Sequence, residues 1–328
     1  MNFKVHSTRL FPKSGGADRY DITGIAGCCD WVILTDTKDP GICIRKAPGC
    51  KRPRHIFLSL RSPFLAISHF ARHILPTLEA PFILVSGSED VTLPNQLDQR
   101  WRRFSASERE DIRAILDHPL LRHWAAENLD ERFHEKISPL PLGMVYSEPP
   151  AIREVIDVPT ITPLAERPCK VLCAHRLREG PQWEARRRVS MLARSDWSDW
   201  STLVDTEVSE PAYLDLVKDH AFVLCVEGGG IDPSPKAWQA ILHGAVPIIR
   251  RTALFEAYRD LPVAWVDDWD ASAITRDRLA DWQAQLAPRH DEAGARAQTV
   301  SMLGLEHWWD SLLGSSPPFA GSRRPGRI

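Results

Sequence analysis

Three consecutive glycines in the second half of the chain have the composition of a loop that binds an anion. They are Gly228, Gly229 and Gly230, and they follow the apolar run 222–226, which is typical of a strand buried on both faces of a parallel sheet. Glycine allows a backbone amide to approach a ligand closely. A loop between a parallel strand and a helix N-terminus is where α/β proteins bind ligands, anionic ones above all.

The residues after the glycines predict a helix start beside the same loop. Ser234 is expected to cap a helix that has Pro235 at its first position and ends at Gly244. Lys236, in the first turn, would supply a point charge to a phosphate. The alternative is that the glycines and prolines only form a turn, and that Lys236 and Gln239 are exposed helix residues.

Two further loops carry charged residues at predicted strand ends. His175 and Arg176 follow the apolar segment that starts at residue 170, and surface charge is the alternative interpretation for them. Glu89 and Asp90 follow the strand predicted from residue 81. Either carboxylate could act as a general base that deprotonates a hydroxyl group, and the pair could equally form an ordinary acidic loop.

The pattern around these loops is strand–helix alternation, which predicts an α/β fold with a Rossmann-like first half. In the first half the predicted strands are 31–35, 41–46, 55–60 and 81–90, the predicted helices are 63–78, 105–116 and 120–129, and 136–144 is an extended segment. In the second half the predicted strands are 170–175, 201–205, 222–226 and 246–249, with a helix at 209–221 and two or three helices between Trp269 and Leu313.

The division of the chain follows its proline content. Residues 1–150 are predicted to form the first domain, and residues 151–168, rich in proline, a linker. Residues 169–313 are predicted to form the second domain. The tail 314–328 has the serine, proline, glycine and arginine composition of disorder.

The second half resembles the C-terminal part of exostosin-like glycosyltransferases. Their signature runs approximately F-x-L-x-P-x-G, S-x-R-x-x-[DE]-A, G-x-[IV]-P-[IV]-[IL] and DW. The matching residues, over about fifty positions, are Phe222, Leu224, Gly228, Ser234, Ala240, Gly244, Val246, Pro247, Ile248, Ile249, Asp268 and Trp269. Two departures from the pattern matter: Lys236 replaces the usual arginine and Gln239 the usual acid.

The resemblance implies a GT-B arrangement, with two Rossmann-like domains that face each other across a cleft. It implies transfer of a sugar from a UDP- or GDP-linked donor to a hydroxyl group of a glycan or glycolipid, as in polysaccharide biosynthesis. The first domain would bind the acceptor and the second the nucleotide sugar. No cofactor beyond this co-substrate is expected. Stereochemistry stays open, since a retaining enzyme would need no base at Asp90.

The resemblance also implies roles for individual residues. Lys236 would meet the diphosphate without the bidentate fork of an arginine, and Gln239 would hydrogen-bond the ribose hydroxyls without the charge of an acid. Arg176, with His175 as the second choice, would meet the diphosphate. Glu227 would contact the sugar or a hydroxyl of the nucleotide, unless it is a strand-end acid that faces water. The two departures keep a non-catalytic, degenerate relative as the alternative function.

No metal site is predicted. The adjacent acids Asp267 and Asp268 do not form a spaced DxD pair, so a metal-independent mechanism is preferred. The seven cysteines contain no C-x-x-C pair, and a zinc site from Cys28, Cys43 and Cys50 has no standard spacing.

Composition and charge bound the class of protein. The 328 residues are 43% hydrophobic and 26% charged, as in globular proteins. The net charge of −2 argues against a nucleic-acid partner, although the basic cluster 45–54 is either a solvated loop or a patch for an anionic acceptor. No apolar run approaches the ~20 residues of a membrane span, and the N-terminus lacks the apolar core of a signal peptide. We therefore expect a cytoplasmic protein, with peripheral membrane contact left open.

Overall fold

The computed structural model describes residues 2–13, 15–39, 41–145 and 154–314. Within these ranges the chain forms two compact units. The N-terminal unit holds residues 4–154 together with those from 305 onward, and the C-terminal unit holds residues 155–304 together with the first residues of the chain. Positions 151–153 of the predicted linker, and the predicted tail beyond residue 314, lie outside the described residues.

The N-terminal unit is built on a six-stranded sheet with the order β3-β2-β4-β5-β6-β7. Its strands are β2 (Trp31–Thr35), β3 (Ile42–Lys46), β4 (His55–Ser59), β5 (Phe82–Gly87), β6 (Leu121–Ala126) and β7 (Ile137–Pro139). All neighbours are parallel except β3, which runs antiparallel to β2. Its helices are α1 (Pro63–His69), α2 (Ala106–Asp117) and α9 (Leu305–Gly314). Every residue of β2 and β5 is buried, as their unbroken apolar runs predict.

The helix predicted over 120–129 is wrong, because this segment is strand β6. Trp124, Ala125 and Ala126 are buried between β5 and β7, to which β6 pairs in parallel. A short apolar run does not distinguish a buried strand from a buried helix, and burial on both faces removes the alternation that would have marked the strand.

The basic cluster 45–54 begins on strand β3, which lies at the edge of the sheet. Arg45 and Lys46 are exposed there, and the Lys46 ammonium lies 3.8 Å from the centroid of the Trp31 ring. Arg52 is paired with Glu79 at 3.0 Å. Charged side chains on an edge strand discourage pairing with another chain, which accounts for the cluster without a ligand.

The C-terminal unit is built on a five-stranded parallel sheet with the order β10-β9-β11-β12-β13. Its strands are β9 (Val171–Cys173), β10 (Ser201–Leu203), β11 (Phe222–Leu224), β12 (Val246–Arg250) and β13 (Ala264–Val266). Its helices are α3 (Glu184–Arg194), α4 (Glu210–Lys218), α5 (Lys236–Leu242), α6 (Phe255–Tyr258), α7 (Arg276–Asp291) and α8 (Ala293–Ser301). A separate two-stranded sheet joins β1 (Asn2–Lys4) to β8 (Val155–Asp157). The predicted α/β class with two Rossmann-like units is confirmed.

Arg167 lies in the segment predicted as a linker and is buried inside the C-terminal unit. Its guanidinium donates to four backbone carbonyls, those of Thr162 (3.0 Å), Val217 (3.1 Å), His220 (3.2 Å) and His243 (2.6 Å). Two of these carbonyls lie at the C-terminal ends of α4 and α5, where helix carbonyls lack partners within the helix. A single arginine therefore ties two helix ends to the start of this unit.

None of the helices in the described part of the chain combines the length and the apolar character that a bilayer crossing requires. The described residues also contain no group of three or more histidine, cysteine, aspartate or glutamate side chains placed to hold a metal ion. All seven cysteines are free thiols.

Candidate anion-binding site

The strand order of the C-terminal unit has one reversal point. The chain passes from β9 to β10 on one side of β9 and later returns to place β11 on the other side. The loops that leave the carboxyl ends of β9 and β11 therefore diverge from neighbouring strands. In open α/β sheets a crevice forms at this point, and ligands bind there. Both the glycine loop and the His175–Arg176 loop start at this crevice.

Three successive carbonyl groups at the start of the glycine loop accept hydrogen bonds from the segment that holds Gln182 and Arg186. The Gln182 side-chain amide donates to the carbonyls of Gly228 and Gly229, each at 2.8 Å, and Arg186 Nε donates to the Glu227 carbonyl at 3.0 Å. In a trans peptide the N–H points opposite to the carbonyl. The amides of Gly228, Gly229 and Gly230 therefore point away from Gln182, and within the described residues none of them donates a hydrogen bond to the protein. Successive amides that point to one side form a concave site for an anion.

Arg186 is the residue of this site that our sequence-based selection missed. Its guanidinium lies 5.0 Å from the centroid of the Trp183 ring and also donates to the Arg176 carbonyl at 3.3 Å. It thus links the loops after β9 and β11. Its spacing from Gln182 is the signal that could have found it, since residues i and i+4 share one face of a helix start.

The close approach of Arg186 requires a glycine at position 228. A Cβ atom at this position would lie 2.6 Å from Arg186 Nη2 and 3.6 Å from the Trp183 ring. The contact is with the far end of a flexible side chain, so the arginine could move away at little cost in folding free energy.

We therefore expect Gly228→Ala to displace Arg186 and to lower affinity for a nucleoside diphosphate by about tenfold, while the melting temperature changes little. Isothermal titration calorimetry and thermal denaturation measure the two quantities. Gly294→Ala in α8, where a Cβ meets nothing within 4 Å, is the matched control and should leave affinity unchanged. Equal affinities of Gly228→Ala and the natural protein would contradict the placement of Arg186.

Lys236 adds a second cation at the reversal point. It is the first residue of α5, and its ammonium donates to the carbonyl of Ala174, just beyond β9. Burial, with a smaller contribution from Arg186, lowers the pKa of Lys236 to about 8. Within the described residues no carboxylate forms an ion pair with it. A half-buried cation without a carboxylate partner is well suited to accept an anionic ligand.

Ser234 does not cap the helix, and this prediction is wrong. Helix α5 begins at Lys236, with Pro235 at the N-cap position and no side-chain cap. The Ser234 hydroxyl instead shares a 2.7 Å hydrogen bond with the Tyr258 hydroxyl, and Tyr258 donates to Asp232 at 2.6 Å. Asp232 also accepts from the Ser234 amide at 2.7 Å, so Ser234 braces the loop before the helix.

Glu227 and Gln239 are both engaged within the C-terminal unit. The Glu227 carboxylate accepts from Arg250 at 2.5 Å and from the indole N–H of Trp269 at 3.0 Å, so it joins the end of β11 to the end of β12 and to the predicted DW pair. Gln239 is half-buried and donates to Glu210 at 3.4 Å.

His175 and Arg176 take different positions in the structure. His175 is buried, and its Nε2 lies 2.9 Å from the Arg186 carbonyl and 3.0 Å from the Ser190 hydroxyl. Burial, and then the charge of Lys236, lowers its pKa to about 3, so His175 is neutral and positions the helix that carries Arg186. Arg176 is exposed and paired with Glu207.

Glu89 and Asp90 lie in the N-terminal unit, where arginines hold both carboxylates. Asp90 is paired with Arg9 and, at 2.7 Å, with Arg100, while Glu89 accepts from Arg61 at 3.0 Å. Burial alone would raise the pKa of Asp90, but Arg9 and Arg100 together hold it well below its usual range. A carboxylate with such a low pKa is a weak base.

The segment that carries Arg9 crosses the carboxyl edge of this sheet. The Thr8 amide donates to the Leu142 carbonyl at 3.0 Å, and the Leu10 amide donates to the Ser88 hydroxyl at 3.1 Å. Thr8 and Leu10 are fully buried. The first residues of the chain thus fill part of the edge at which an α/β unit would otherwise bind a ligand.

Comparisons with known proteins give a likeness of fold. No family model and no curated protein matches the chain. Similar solved structures include sucrose-phosphate synthase from Thermosynechococcus elongatus, with 13% identity, 80% of this chain and 74% of that chain covered, and a TM-score of 0.43. The Anabaena protein HepE in complex with UDP has 9% identity, coverages of 80% and 78%, and a TM-score of 0.46. A UDP-forming α,α-trehalose-phosphate synthase from Burkholderia xenovorans has 12% identity, coverages of 80% and 73%, and a TM-score of 0.44. These values assign no activity and no residue role, and the exostosin-like resemblance stays a hypothesis.

Proposed function

We propose that the protein is a glycosyltransferase of the GT-B type, which transfers a sugar from a nucleotide donor to a hydroxyl group of a glycan or glycolipid. The observation that carries the proposal is the convergence of Arg186, Lys236 and the glycine-loop amides at the reversal point of the C-terminal sheet. The resemblance of residues 222–269 to exostosin-like enzymes supports the same class. The donor would carry UDP or GDP.

The arrangement suits a diphosphate better than a single carboxylate. Three amides on one side of the loop and two cations from separate helices can engage several phosphate oxygens at once. Transfer of the sugar leaves negative charge on the diphosphate, and prearranged donors and cations stabilise such charge in the transition state. We propose that these groups offset the leaving-group charge without a metal ion.

The remaining donor-site residues would act around this centre. Arg176 is exposed and could exchange Glu207 for a phosphate oxygen, and Gln239 could hydrogen-bond a ribose hydroxyl. Glu227 holds Arg250 and Trp269 in place, and its carboxylate retains lone pairs for a sugar hydroxyl. Asp90 and Glu89 stay proposals for the general base. The arginine partners make Asp90 better suited to accept a hydrogen bond than to remove a proton.

A non-catalytic protein that binds a nucleotide or a glycan is the second candidate. The observation that favours it is the pairing of both candidate bases with buried arginines. In that case the C-terminal unit would bind nucleotide, and no sugar would be transferred.

Nucleotide binding and turnover distinguish the two candidates. We expect 1 mM UDP or GDP to raise the melting temperature by several degrees, because a ligand that binds only the folded state stabilises it. No shift with either nucleotide would rule out the donor site. Release of UDP or GDP from any member of a panel of nucleotide sugars would identify an enzyme. A kcat at least tenfold lower in Asp90→Asn would then place Asp90 in its active site. Binding without turnover would favour the second candidate.

A further inference from the structure

The loop that joins β5 to α2 in the N-terminal unit is long and irregular. It covers residues 88–105 and leaves the carboxyl end of a parallel strand. Irregular loops longer than about 12–15 residues are uncommon in compact domains and are usually functional or disordered. This one is fixed in place, as its arginines show.

Three arginines of the loop are each bound to the loop itself or to the helix that follows. Arg100 forms a bidentate contact with Asp98, with Nε–Oδ1 at 2.9 Å and Nη2–Oδ2 at 2.7 Å. Arg102 binds Glu108 through two hydrogen bonds of 2.7 and 2.6 Å. Arg103 donates to the carbonyls of Asn95 and Gln96, at 3.0 and 2.5 Å. The loop is therefore preorganised, which reduces the entropy lost on ligand binding.

The loop also contains two strained residues. Ser88 and Gln96 have φ angles of 77° and 55°, in the left-handed region that residues other than glycine rarely adopt. The surroundings hold them there: the Ser88 amide donates to Glu127 at 2.7 Å, and the Gln96 side chain donates to the Asp98 carbonyl at 2.8 Å. Backbone strain of this kind is unfavourable for folding, and it clusters at binding sites.

The surface of the loop combines an aromatic ring with a fixed ion pair. Trp101 is half-buried with its ring edge-on to Phe64, and Leu97 is 43% exposed. Arg100, adjacent to Trp101 in the chain, binds Asp90 at 2.7 Å, and the two side chains stay 36% and 27% exposed. A sugar ring offers an apolar face for an indole and hydroxyl groups for a carboxylate and a guanidinium.

Anions match or outnumber cations around the ion pair. The cations are Arg9, Arg61, Arg100 and Lys13, and the anions are Glu89, Asp90, Asp98 and Glu127, with Asp36 beside Arg61. Among the described residues here, no surplus positive charge remains for a phosphate or a carboxylate of a ligand. The ligand chemistry that fits is an uncharged sugar.

We propose that the 88–105 loop is a binding site for an uncharged sugar residue, which stacks on Trp101 and hydrogen-bonds to the Asp90–Arg100 pair. The inference rests on the proposed function in one respect: in a glycosyltransferase this sugar would be the acceptor. Asp90 and Arg100 are then substrate-binding residues, and Trp101 fixes the plane of the ring.

Saturation-transfer NMR and calorimetry with methyl glucoside, maltose, cellobiose and chitobiose test the site without a donor. We expect at least one of these sugars to bind, with an affinity that falls about tenfold or more in Trp101→Ala and in Asp90→Ala. Trp101→Phe, which keeps a ring, should recover part of the affinity. Trp200→Ala, at a half-buried tryptophan of the C-terminal unit, is the matched control and should leave sugar affinity unchanged.

The outcomes separate this inference from the proposed function. Absence of binding across the whole panel, or sugar affinity that is the same in Trp101→Ala as in the natural protein, overturns the inference. UDP titrations on the same samples are independent: we expect Trp101→Ala to keep UDP affinity. If the natural protein binds no nucleotide, the proposed function is contradicted. The sugar site is still tested in that case, by comparing sugar affinity between the natural protein and the Trp101 and Asp90 variants.

Discussion

We expect Lys236→Ala to weaken UDP binding by on the order of 50-fold, because a hydrogen bond to a charged group contributes about 1.5–3 kcal/mol and tenfold in affinity corresponds to about 1.4 kcal/mol. The Lys236 ammonium has no carboxylate partner among the described residues, so a bound phosphate would meet its charge directly. Isothermal titration calorimetry at pH 7 measures the change. Lys218→Ala, an exposed lysine of α4 paired with Asp215, is the control.

The same lysine should make UDP affinity depend on pH. Its pKa is lowered to about 8, so the ammonium is largely charged at pH 7 and largely neutral at pH 9.5. Affinity should therefore fall above pH 8, and binding near that pH should take up a proton. Three titratable groups near Lys236 have pKa values far from this range: burial lowers the pKa of His175 to about 3 and raises the pKa of Cys173 and Cys225 to about 12.

Lys236→Arg provides the control for the pH effect, since a guanidinium keeps its charge over the whole range. We expect this variant to bind UDP at least as tightly as the natural protein at pH 7, and with the same affinity at pH 9.5. If the natural protein binds UDP equally well at pH 7 and pH 9.5, Lys236 does not contact the phosphates.

Arg167→Ala should have the largest effect on stability, with a loss of about 3–5 kcal/mol in the free energy of unfolding of the C-terminal unit. The substitution leaves four carbonyls without their donor, two of them at the ends of α4 and α5, and the contacts to Val217 and His220 are buried. It also opens space beside Gly244. In the natural protein Arg167 is so close to this glycine that a Cβ atom added there would lie 2.6 Å from Arg167 Nη2. Urea denaturation followed by tryptophan fluorescence measures the loss.

Two variants separate this effect from a loss of surface charge. Arg188→Ala removes an exposed arginine of α3 and should change stability by no more than about 0.5 kcal/mol. Arg167→Lys keeps the charge, but a single ammonium group cannot donate to four carbonyls that a planar guanidinium reaches together. We therefore expect it to recover only a small part of the stability. A stable Arg167→Ala protein would show that water or neighbouring groups replace the arginine at both helix ends.

The architecture could be read from the sequence wherever apolar runs were short, unbroken and bounded by turns. Strands β2, β4, β5, β9 and β11 were predicted correctly. Strand β6 failed because burial on both faces removed the periodicity. The helix-cap prediction for Ser234 was wrong because its hydroxyl bonds to Tyr258 instead of to the helix backbone. Tyr258 lies 24 residues away along the chain, so local sequence does not indicate this partner.

The candidate site was predictable as a location and less so as a set of contacts. Glycines 228–230 and Lys236 could be selected from local residue types. Arg186 and Arg9 could not, because their roles depend on which strands are neighbours: Arg186 reaches Glu227 across 41 positions, and Arg9 reaches Asp90 across 81 positions. The arginine partners of Glu89 and Asp90 were invisible for the same reason, although they decide how basic these carboxylates are.

The return of helix α9 to the N-terminal unit sets the order in which the chain can complete its fold during synthesis. Trp308 and Trp309 of this helix lie 5.5 Å and 4.8 Å, between ring centroids, from His6 and His55. The C-terminal unit has all of its strands and its Arg167 contacts once residue 304 has been made. The N-terminal unit, although translated first, must wait for residues 305–314 before its own packing is finished. The unit whose sheet is synthesised first is therefore the last to complete its packing.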